Sequence, residues 1–356
     1  MRFWIDILTP KQALFFMNLC LKLEKEGHQV IKTTRQYREA TQLLRVKGLK
    51  AKVVGKHGGK NIYEKLKASA ERIIKLAALI KKLSPDAAIS FSSVEASRVA
   101  FGLKIPHYCV SDSPHAEAVS KLTIPLSKKL FTPFVIPKKA WVKYGISKTD
   151  IIFYKALDPI AWLKNFKIDE NVLAKLNLKK DKPIITIRVE ESYAAYLLNK
   201  NLKRSVAVKA AHLLTDKTNA QIVVLPRYEE QIKFLKKEFK KEKVKIANKV
   251  IDGASLIALS SVFIGAGGTM TAESALLGTP TISCYPSNPT YIEKFLIKQD
   301  LIQRSLNPKI IVELALSYIN DEDAKKRALK KAEKLTSIME DPTEVILKKI
   351  LELEKS

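Results

Sequence analysis

The sequence predicts an α/β protein built from two doubly wound parallel-sheet domains in series. Three observations carry that prediction. The chain has 356 residues, about two domains of ordinary size. Short apolar runs alternate with longer amphipathic stretches, the pattern of βαβ units and a parallel sheet. The alternation breaks between residues 158 and 182 and then begins again. We therefore expect a first domain over 1–160, a linker over 161–182 and a second domain over 183–356, the last helix packing back on the first domain.

Each element follows from its own residues. RFWIDIL (2–8) reads as a buried opening strand, and Thr9-Pro10 turns it into the helix KQALFFMNLCLKLEKEG. Gly27 stops that helix, and HQVIKTT (28–34) is the second strand. REATQLLRVKG (38–48) is helical, KAKVVG (50–55) a strand and KHGGKN (56–61) a glycine loop. A long amphipathic helix covers 62–83. AAISF (87–91) is a strand, SSVEASRVAFGL a helix and residues 105–110 the next strand. In the second series IITIRV (184–189) and AQIVVLP (220–226) are strands, and 201–215 and RYEEQIKFLKKEFKKE are helices. VKIAN and KVID are short strands or loops, ASLIALSS is a helix, and VFIG (262–265) and TISCY (281–285) are strands. The last 40 residues are helical and heavily charged. Two such domains place a ligand cleft between them, at the carboxyl ends of the strands.

Composition narrows the chemistry. Hydrophobic residues make up 46%, enough for real cores. Lys and Arg total 63 against 36 Asp and Glu, a net charge of +27. That balance favours polyanions: phosphorylated small molecules, an anionic membrane face or nucleic acid. The lysines are spread along the whole chain and no nucleic-acid recognition motif is present, so no specific nucleic acid is expected. Cys20, Cys109 and Cys284 match no metal or redox spacing and point to a reducing, cytoplasmic setting. An acid at position 6 and a proline at 10 argue against a signal peptide. No apolar run reaches the roughly 18 residues of a membrane span.

The stretch GAGGTMTAESALLGTP (265–280) follows the apolar run Val262-Phe263-Ile264. A strand ending in glycines, with a helix beginning near Thr269, presents free N–H groups and a helix dipole to an anion such as a diphosphate. Glu273, one turn inside, can accept bonds from vicinal hydroxyls. On glycines alone a tight structural turn with a solvated glutamate explains the stretch as well. It matches neither GxxxxGK[ST] nor GxGxxG. Arg188 and Arg227 both end strands, where a guanidinium clamps a phosphate or pairs with Glu190 or Glu229. His57 in the KHGGK loop is a general base, a phosphate ligand or a turn histidine. In VSDSPHAEA (110–118), Asp112 or His115 is a candidate base; Asp112 is equally placed to cap the following helix. His28 and His107 read as structural. No Asp-x-Asp pair and no His/Cys cluster has metal spacing. LTIPLSKKLFTPFVIPKKAWVKYG (122–145) interleaves lysines with aromatics. It is either a peripheral contact with an anionic membrane at its inner face or strands and turns of the first domain.

The order of glycine pair, glutamate and Gly-x-Pro at 265–280 resembles the donor segment of GT-B-fold sugar-nucleotide enzymes. The lipid-II-forming N-acetylglucosaminyltransferase and the non-hydrolysing UDP-N-acetylglucosamine 2-epimerase share it. The resemblance implies a GT-B-like arrangement of two Rossmann-like domains facing a central cleft. It implies an NDP-sugar, UDP-sugar first, as substrate, with its diphosphate at Gly267, Gly268 and Thr269, the arginines Arg188 and Arg227 joining them, and its ribose at Glu273. It also implies no cofactor or metal, and a glycan or lipid-linked acceptor. Glycosyl transfer, 2-epimerisation and a non-catalytic nucleotide-binding role are the three functions it leaves open. A closer resemblance covers most of the chain: WIDILTP, VGKHGG, PDAAISF, RVAFGLKIP, LTIPLSKKL, VVLPR and the glycine stretch look like domain-of-unknown-function family 354. That family reads Asn-Arg-Glu-Ala where this chain has Thr271-Ala272-Glu273-Ser274, and has a histidine near Lys11-Gln12-Ala13.

Overall fold

The computed structural model describes residues 1–190, 205–240, 243–249 and 251–355. The chain divides into two compact units, Met1–Lys164 with the segment from Met339 onward, and Asn165–Ile338.

In the first unit β1 (Arg2–Ile7), β2 (Gln29–Gln36), β3 (Lys52–Lys56), β4 (Ala87–Phe91), β5 (His107–Val110), β6 (Lys129–Pro133) and β7 (Ile151–Tyr154) form one sheet. Its order is β3-β2-β1-β4-β5-β6-β7, and every neighbouring pair is parallel. The helices are α1 (Pro10–Lys25), α2 (Arg38–Val46), α3 (Ile62–Leu83), α4 (Val94–Gly102), α5 (Glu117–Thr123), α6 (Lys139–Val142) and α7 (Ile160–Leu163). Thr9, Asn61 and Ser93 accept backbone N–H bonds at the starts of α1, α3 and α4, fixing where each helix leaves its strand. Strand order reverses between β1 and β4, so the loops after these strands diverge and open a crevice at their carboxyl ends.

One buried ion pair interrupts the apolar core of this unit. Arg72 of α3 makes a two-pronged contact with Asp6 of β1, at 2.6 and 3.0 Å. Ser93 and Thr33 each donate to the same carboxylate at 2.6 Å. Burial alone would raise the Asp6 pKa, but the guanidinium and these donors hold it below the usual carboxylate value. Gly55 on β3 has φ +71°, and a Cβ there would stand 3.0 Å from Arg72 Cγ. The glycine thus makes room for the arginine.

The second unit contains α8 (Asn171–Lys175), β8 (Ile184–Arg188), α9 (Val206–Thr215), β9 (Gln221–Leu225), α10 (Glu229–Glu238), β10 (Val244–Ile246), α11 (Gly253–Leu259), β11 (Val262–Gly265), α12 (Thr269–Leu276), β12 (Thr281–Ser283), α13 (Tyr291–Lys298), β13 (Ile302–Arg304), α14 (Pro308–Asn320) and α15 (Ala324–Thr336). Its sheet runs β10-β9-β8-β11-β12-β13, again parallel, with the reversal between β8 and β11. The expected helix over 201–215 is seen from Val206; residues 201–204 lie outside the described residues, as does residue 250 within KVID.

The segment expected as a linker belongs to the units themselves. Trp162 is buried in the first. Val172, Leu173 and Leu178 join Ile184, Val223 and Leu225 in a core cluster of the second. The closing helix α16 (Pro342–Lys355) returns to the first unit. Lys22 of α1 holds Asp341 at 2.8 Å and Glu344 at 2.6 Å, and Tyr108 donates to Glu354.

Candidate functional site

In the second unit the glycine stretch stands at the reversal of strand order. Gly265, the last residue of β11, is in register with Arg188, the last residue of β8. A Cβ on Gly265 would lie 2.2 Å from Thr271 Oγ1, so glycine is what lets the first turn of α12 press onto the strand end. Gly267 has φ +94° and a Cβ there would meet the Tyr285 ring at 2.3 Å. Gly268, the N-cap of α12, has φ +86° and nothing within 4 Å of its missing Cβ, and its position gives no side-chain cap. The helix N-terminus is therefore a backbone surface, exposed at Gly268 and half-buried at Thr269, suited to an anion approaching the N–H groups.

The arginines fall on neighbouring loops, because β9 lies beside β8. Arg188 donates from one terminal nitrogen to the carbonyls of Leu225 and Pro226, at 3.2 and 2.7 Å. It is thus tied to the end of β9 as well as standing at the glycine turn. Arg227 is half-buried, and its backbone N–H donates to Gln231 Oε1 at 2.7 Å. Glu273 is buried in α12, 5% exposed. Sequence reasoning missed Glu293, in the first turn of α13, and Arg304, the last residue of β13. Ser283 donates to Glu293 at 2.5 Å, and Arg304 binds the carbonyls of Tyr285 and Ser287 at 3.1 and 2.9 Å. These bonds fix the loop that carries Tyr285 against Gly267.

In the first unit the carboxyl ends of β1, β5 and β7 converge on a charge cluster. Lys11, in the first turn of α1, places Nζ 2.5 Å from Asp112 and 2.6 Å from Asp158. The ammonium also sits over the Phe91 ring, 4.2 Å from its centre. Tyr154 donates to the other oxygen of Asp158 at 2.5 Å, and Ser113 donates to Asp112 at 2.8 Å. Burial opposes charge on all three ionisable groups, and the outcomes differ. The two carboxylates more than offset burial at Lys11, whose pKa is raised. Lys11 and Ser113 hold Asp112 below the usual carboxylate value. Asp158 is pushed up to about 6 by burial and by the charge of Asp112, against the pull of Lys11. Two carboxyls on one lysine thus have pKa values driven apart, the arrangement that separates an acid from a base.

His115 stands in the same loop as Asp112. Desolvation among its neighbours lowers its pKa, Lys11 adding to the effect and Asp112 opposing it. His57 does not join this group. It follows β3, the edge strand at the far end of the sheet from β5, β6 and β7. There it stacks on Tyr37, ring centres 5.0 Å apart, and accepts from the Gly59 N–H at 3.0 Å. With Lys67 and Glu71 it lines a groove of about 330 Å³. His107 is buried between Ser90 and Ser127, at 2.9 and 3.0 Å, with its pKa lowered to about 4 by burial, the structural role expected of it. Lys11, Tyr154 and Asp158 were not singled out by sequence, although Lys11 occupies the place where family 354 is expected to carry histidine.

The stretch 122–145 turns most of its aromatics inward. Phe131, Trp141 and Tyr144 are buried, and of its large apolar residues Leu122 and Phe134 stay exposed. Among the described residues, no helix is long and apolar enough to cross a membrane, and no group of three His, Cys, Asp or Glu could hold a metal ion.

Comparison places this fold among known ones. The structure is similar to UDP-GlcNAc 2-epimerase from Neisseria meningitidis bound to UDP-GlcNAc, with a TM-score of 0.77 at 16% identity, covering 99% of this chain and 100% of that one. It is similar to the Methanocaldococcus jannaschii UDP-GlcNAc 2-epimerase in complex with UDP-GlcNAc and UDP, with a TM-score of 0.72 at 18% identity, over 95% and 99% of the two chains. It is also similar to the spinosyn forosaminyltransferase SpnP, with a TM-score of 0.65 at 13% identity, over the whole of both chains. The fold is therefore GT-B-like, with two parallel-sheet α/β units of seven and six strands among the described residues. In sequence the chain is 32% identical to the uncharacterized protein MJ0665 of Methanocaldococcus jannaschii over 354 residues, 98% of this chain and 97% of that protein. A family described as protein of unknown function (DUF354) matches residues 1–351, and the chain belongs to that family.

Proposed function

We propose that the protein is a sugar-nucleotide-dependent glycosyltransferase in which the second unit holds the donor diphosphate and the first supplies acid–base chemistry. The observation that carries this is the glycine turn: Gly265, Gly267 and Gly268 clear the N-terminus of α12 at the reversal of strand order, beside Arg188. Glycosyl transfer breaks the bond between the anomeric carbon and the diphosphate oxygen, and the electron pair leaves on that oxygen. Negative charge grows there in the transition state, where fixed N–H groups, a helix dipole and arginines are worth most. An incoming hydroxyl loses its proton to a base. His115, with its lowered pKa, is neutral near pH 7 and able to accept that proton; Asp112, held ionised by Lys11, orients it or takes its place. Glu273 is the proposed ribose partner. Relatives named for UDP-GlcNAc make uridine the first nucleotide to test.

Thermal unfolding of the wild type and of Glu273→Ala with UDP, GDP, CDP, TDP and their sugars tests the donor site. A ligand at 100 times its dissociation constant stabilises by about 2.7 kcal/mol. The expected result is one nucleotide that stabilises the wild type and loses much of that effect in Glu273→Ala. Stabilisation by none of them would end this reading.

A second reading, epimerisation of the sugar nucleotide itself, draws support from the divergent pKa values of Asp112 and Asp158. An epimerase that removes and returns a proton at carbon needs no acceptor and leaves solvent deuterium in the sugar. Incubation of the binding sugar nucleotide alone in D2O separates the two: unlabelled, unchanged donor favours transfer.

A further inference from the structure

We propose that the outer face of α3, α4 and α5 docks on an anionic lipid bilayer, its apolar side chains entering the headgroup layer and its basic ones facing the lipid phosphates. The three helices lie on one side of the first sheet, with α4 packed between α3 and α5. Together they carry six of the seventeen large apolar side chains exposed among the described residues: Ile62, Tyr63, Leu66 and Ile74 on α3, Phe101 on α4 and Leu122 on α5. The other side of the sheet is covered by α1, α2 and α16, which expose two, Leu21 and Val46. The two sets of helices have nearly the same total length, so the difference is one of composition. A helix that covers one core keeps its outer side polar, and apolar side chains gathered on a charged surface mark a contact.

The charges on this face select its occupant. Apart from the buried Arg72 and Glu95, the three helices carry seven basic residues against three acidic ones, Glu64, Glu71 and Glu117. Glu117 is already paired with Lys121 at 2.7 Å. Lys52 and Lys60 beside α3, and Lys104 beyond α4, are exposed and extend the excess. Such a face repels a second copy of itself and attracts a layer of phosphates. Apolar side chains set among basic ones are what an interfacial contact uses, the first for burial and the second for attraction to anionic headgroups. A nucleic acid would meet the charge alone, and leave Ile74, Phe101 and Leu122 without a partner.

Flotation of the full chain with vesicles tests this, in the absence of nucleotide so that the donor site plays no part. Binding is expected to vesicles of phosphatidylglycerol with phosphatidylcholine, and not to phosphatidylcholine alone. Tryptophan reporters separate insertion of this face from adsorption by net charge. Trp4, Trp141 and Trp162 are buried, so Phe101→Trp adds an exposed reporter and Leu21→Trp adds one on the other side of the sheet. Brominated acyl chains should quench the tryptophan at 101 and spare the one at 21. Phe101→Ser/Leu122→Ser keeps every charge, and should weaken vesicle binding by more than about tenfold with an unchanged thermal melt. Absence of flotation, equal quenching at 101 and 21, or full binding by Phe101→Ser/Leu122→Ser overturns the proposal. So does a tryptophan at 101 that is shielded without vesicles in a chain sedimenting as a dimer, because another copy then covers the face.

Discussion

The ammonium of Lys11 stands 2.6 Å from the carboxylate of Asp158, joining the loop after the first strand of its sheet to the loop after the last. The contact spans almost the whole first unit in sequence and brings Asp112 in from a third loop. Apolar packing supplies most of the stability of such a unit; this cluster instead fixes the relative position of three strand ends. A rigid, charged set of this kind is what acid–base work requires, and it is costly to leave incomplete.

Lys11→Met should therefore destabilise the first unit strongly. Removing one partner from a buried charge set costs about 3–5 kcal/mol. The loss should fall toward the lower end, because Asp158 can take up a proton when its cation is gone. Lys11→Arg keeps the charge and should lose less. Urea unfolding at pH 7 and pH 5 checks this: the Lys11→Met deficit should shrink at the lower pH. An equal deficit at both would mean that packing, not charge, is what the lysine supplies.

The pH dependence of stability follows from the same cluster. Asp158 has a folded pKa of about 6, above its ordinary 3.8, so between those values the folded chain holds a proton that the unfolded chain has released. Its contribution is most favourable below pH 4 and is lost as pH rises through 6. Asp112 acts with the opposite sign. Its folded pKa is lowered, so its stabilisation is present above its ordinary pKa and is lost as pH falls through the lowered value. Asp158→Asn should flatten the decline in unfolding midpoint between pH 4 and 6. A decline as steep as that of the wild type would assign it to another group.

Much of this molecule was legible in its sequence, and the exceptions have physical causes. Residues 62–83 and 87–91 match α3 and β4 in full, because long amphipathic periods and short buried runs leave few alternatives. Strands β6 and β7 were not singled out, since LFTP and IIFY are short and lie among prolines and lysines that mimic loop. Strand β13, three residues long, carries almost no periodic signal. Glycines at 265–268 stood out because a turn demands them. Lys11 and Asp158 did not, because they are nearly 150 positions apart and look like an ordinary helix start and an ordinary turn. Only the packing of α1 beside α7, where Asn18 donates to the Ala161 carbonyl at 2.5 Å, makes them neighbours. His57 reads as a candidate base because it follows a strand beside two glycines, but it packs on Tyr37 in a groove of its own.

The glycine turn predicts a graded response. Gly268→Ala keeps open space around the new methyl but forces alanine to φ +86°, a strain of about 1 kcal/mol or a little more. Gly267→Ala adds a clash with Tyr285 at 2.3 Å to a φ of +94°, so it should cost clearly more. In a Tyr285→Ala background, which removes the ring, Gly267→Ala should cost less than it does in the wild type, leaving mainly the backbone strain. Calorimetric melting of the four variants checks the order. Equal losses for Gly267→Ala and Gly268→Ala would show that the turn relaxes away from the ring.

The Asp6–Arg72 pair gives the sharpest test of whether the first unit depends on its buried charges. Arg72 binds both oxygens of Asp6, at 2.6 and 3.0 Å, and also the Val54 carbonyl at 2.9 Å. Arg72→Met leaves a buried carboxylate with only Ser93 and Thr33 as donors, and should cost about 3–5 kcal/mol. Replacing both partners by apolar groups removes the charge stranded at Asp6 as well as the attraction, although Glu95, 3.7 Å from Arg72, loses that cation in either case. The loss in Asp6→Leu/Arg72→Met should accordingly fall short of the sum of the two single losses by about 1–3 kcal/mol of coupling. Nucleotide-induced stabilisation, which we assign to the second unit, should persist in every variant that folds. Urea titrations of the wild type, the two single variants and the double variant close the cycle. A double variant whose loss equals the sum of the single losses would show that the pair contributes by packing, with no charge coupling between its members.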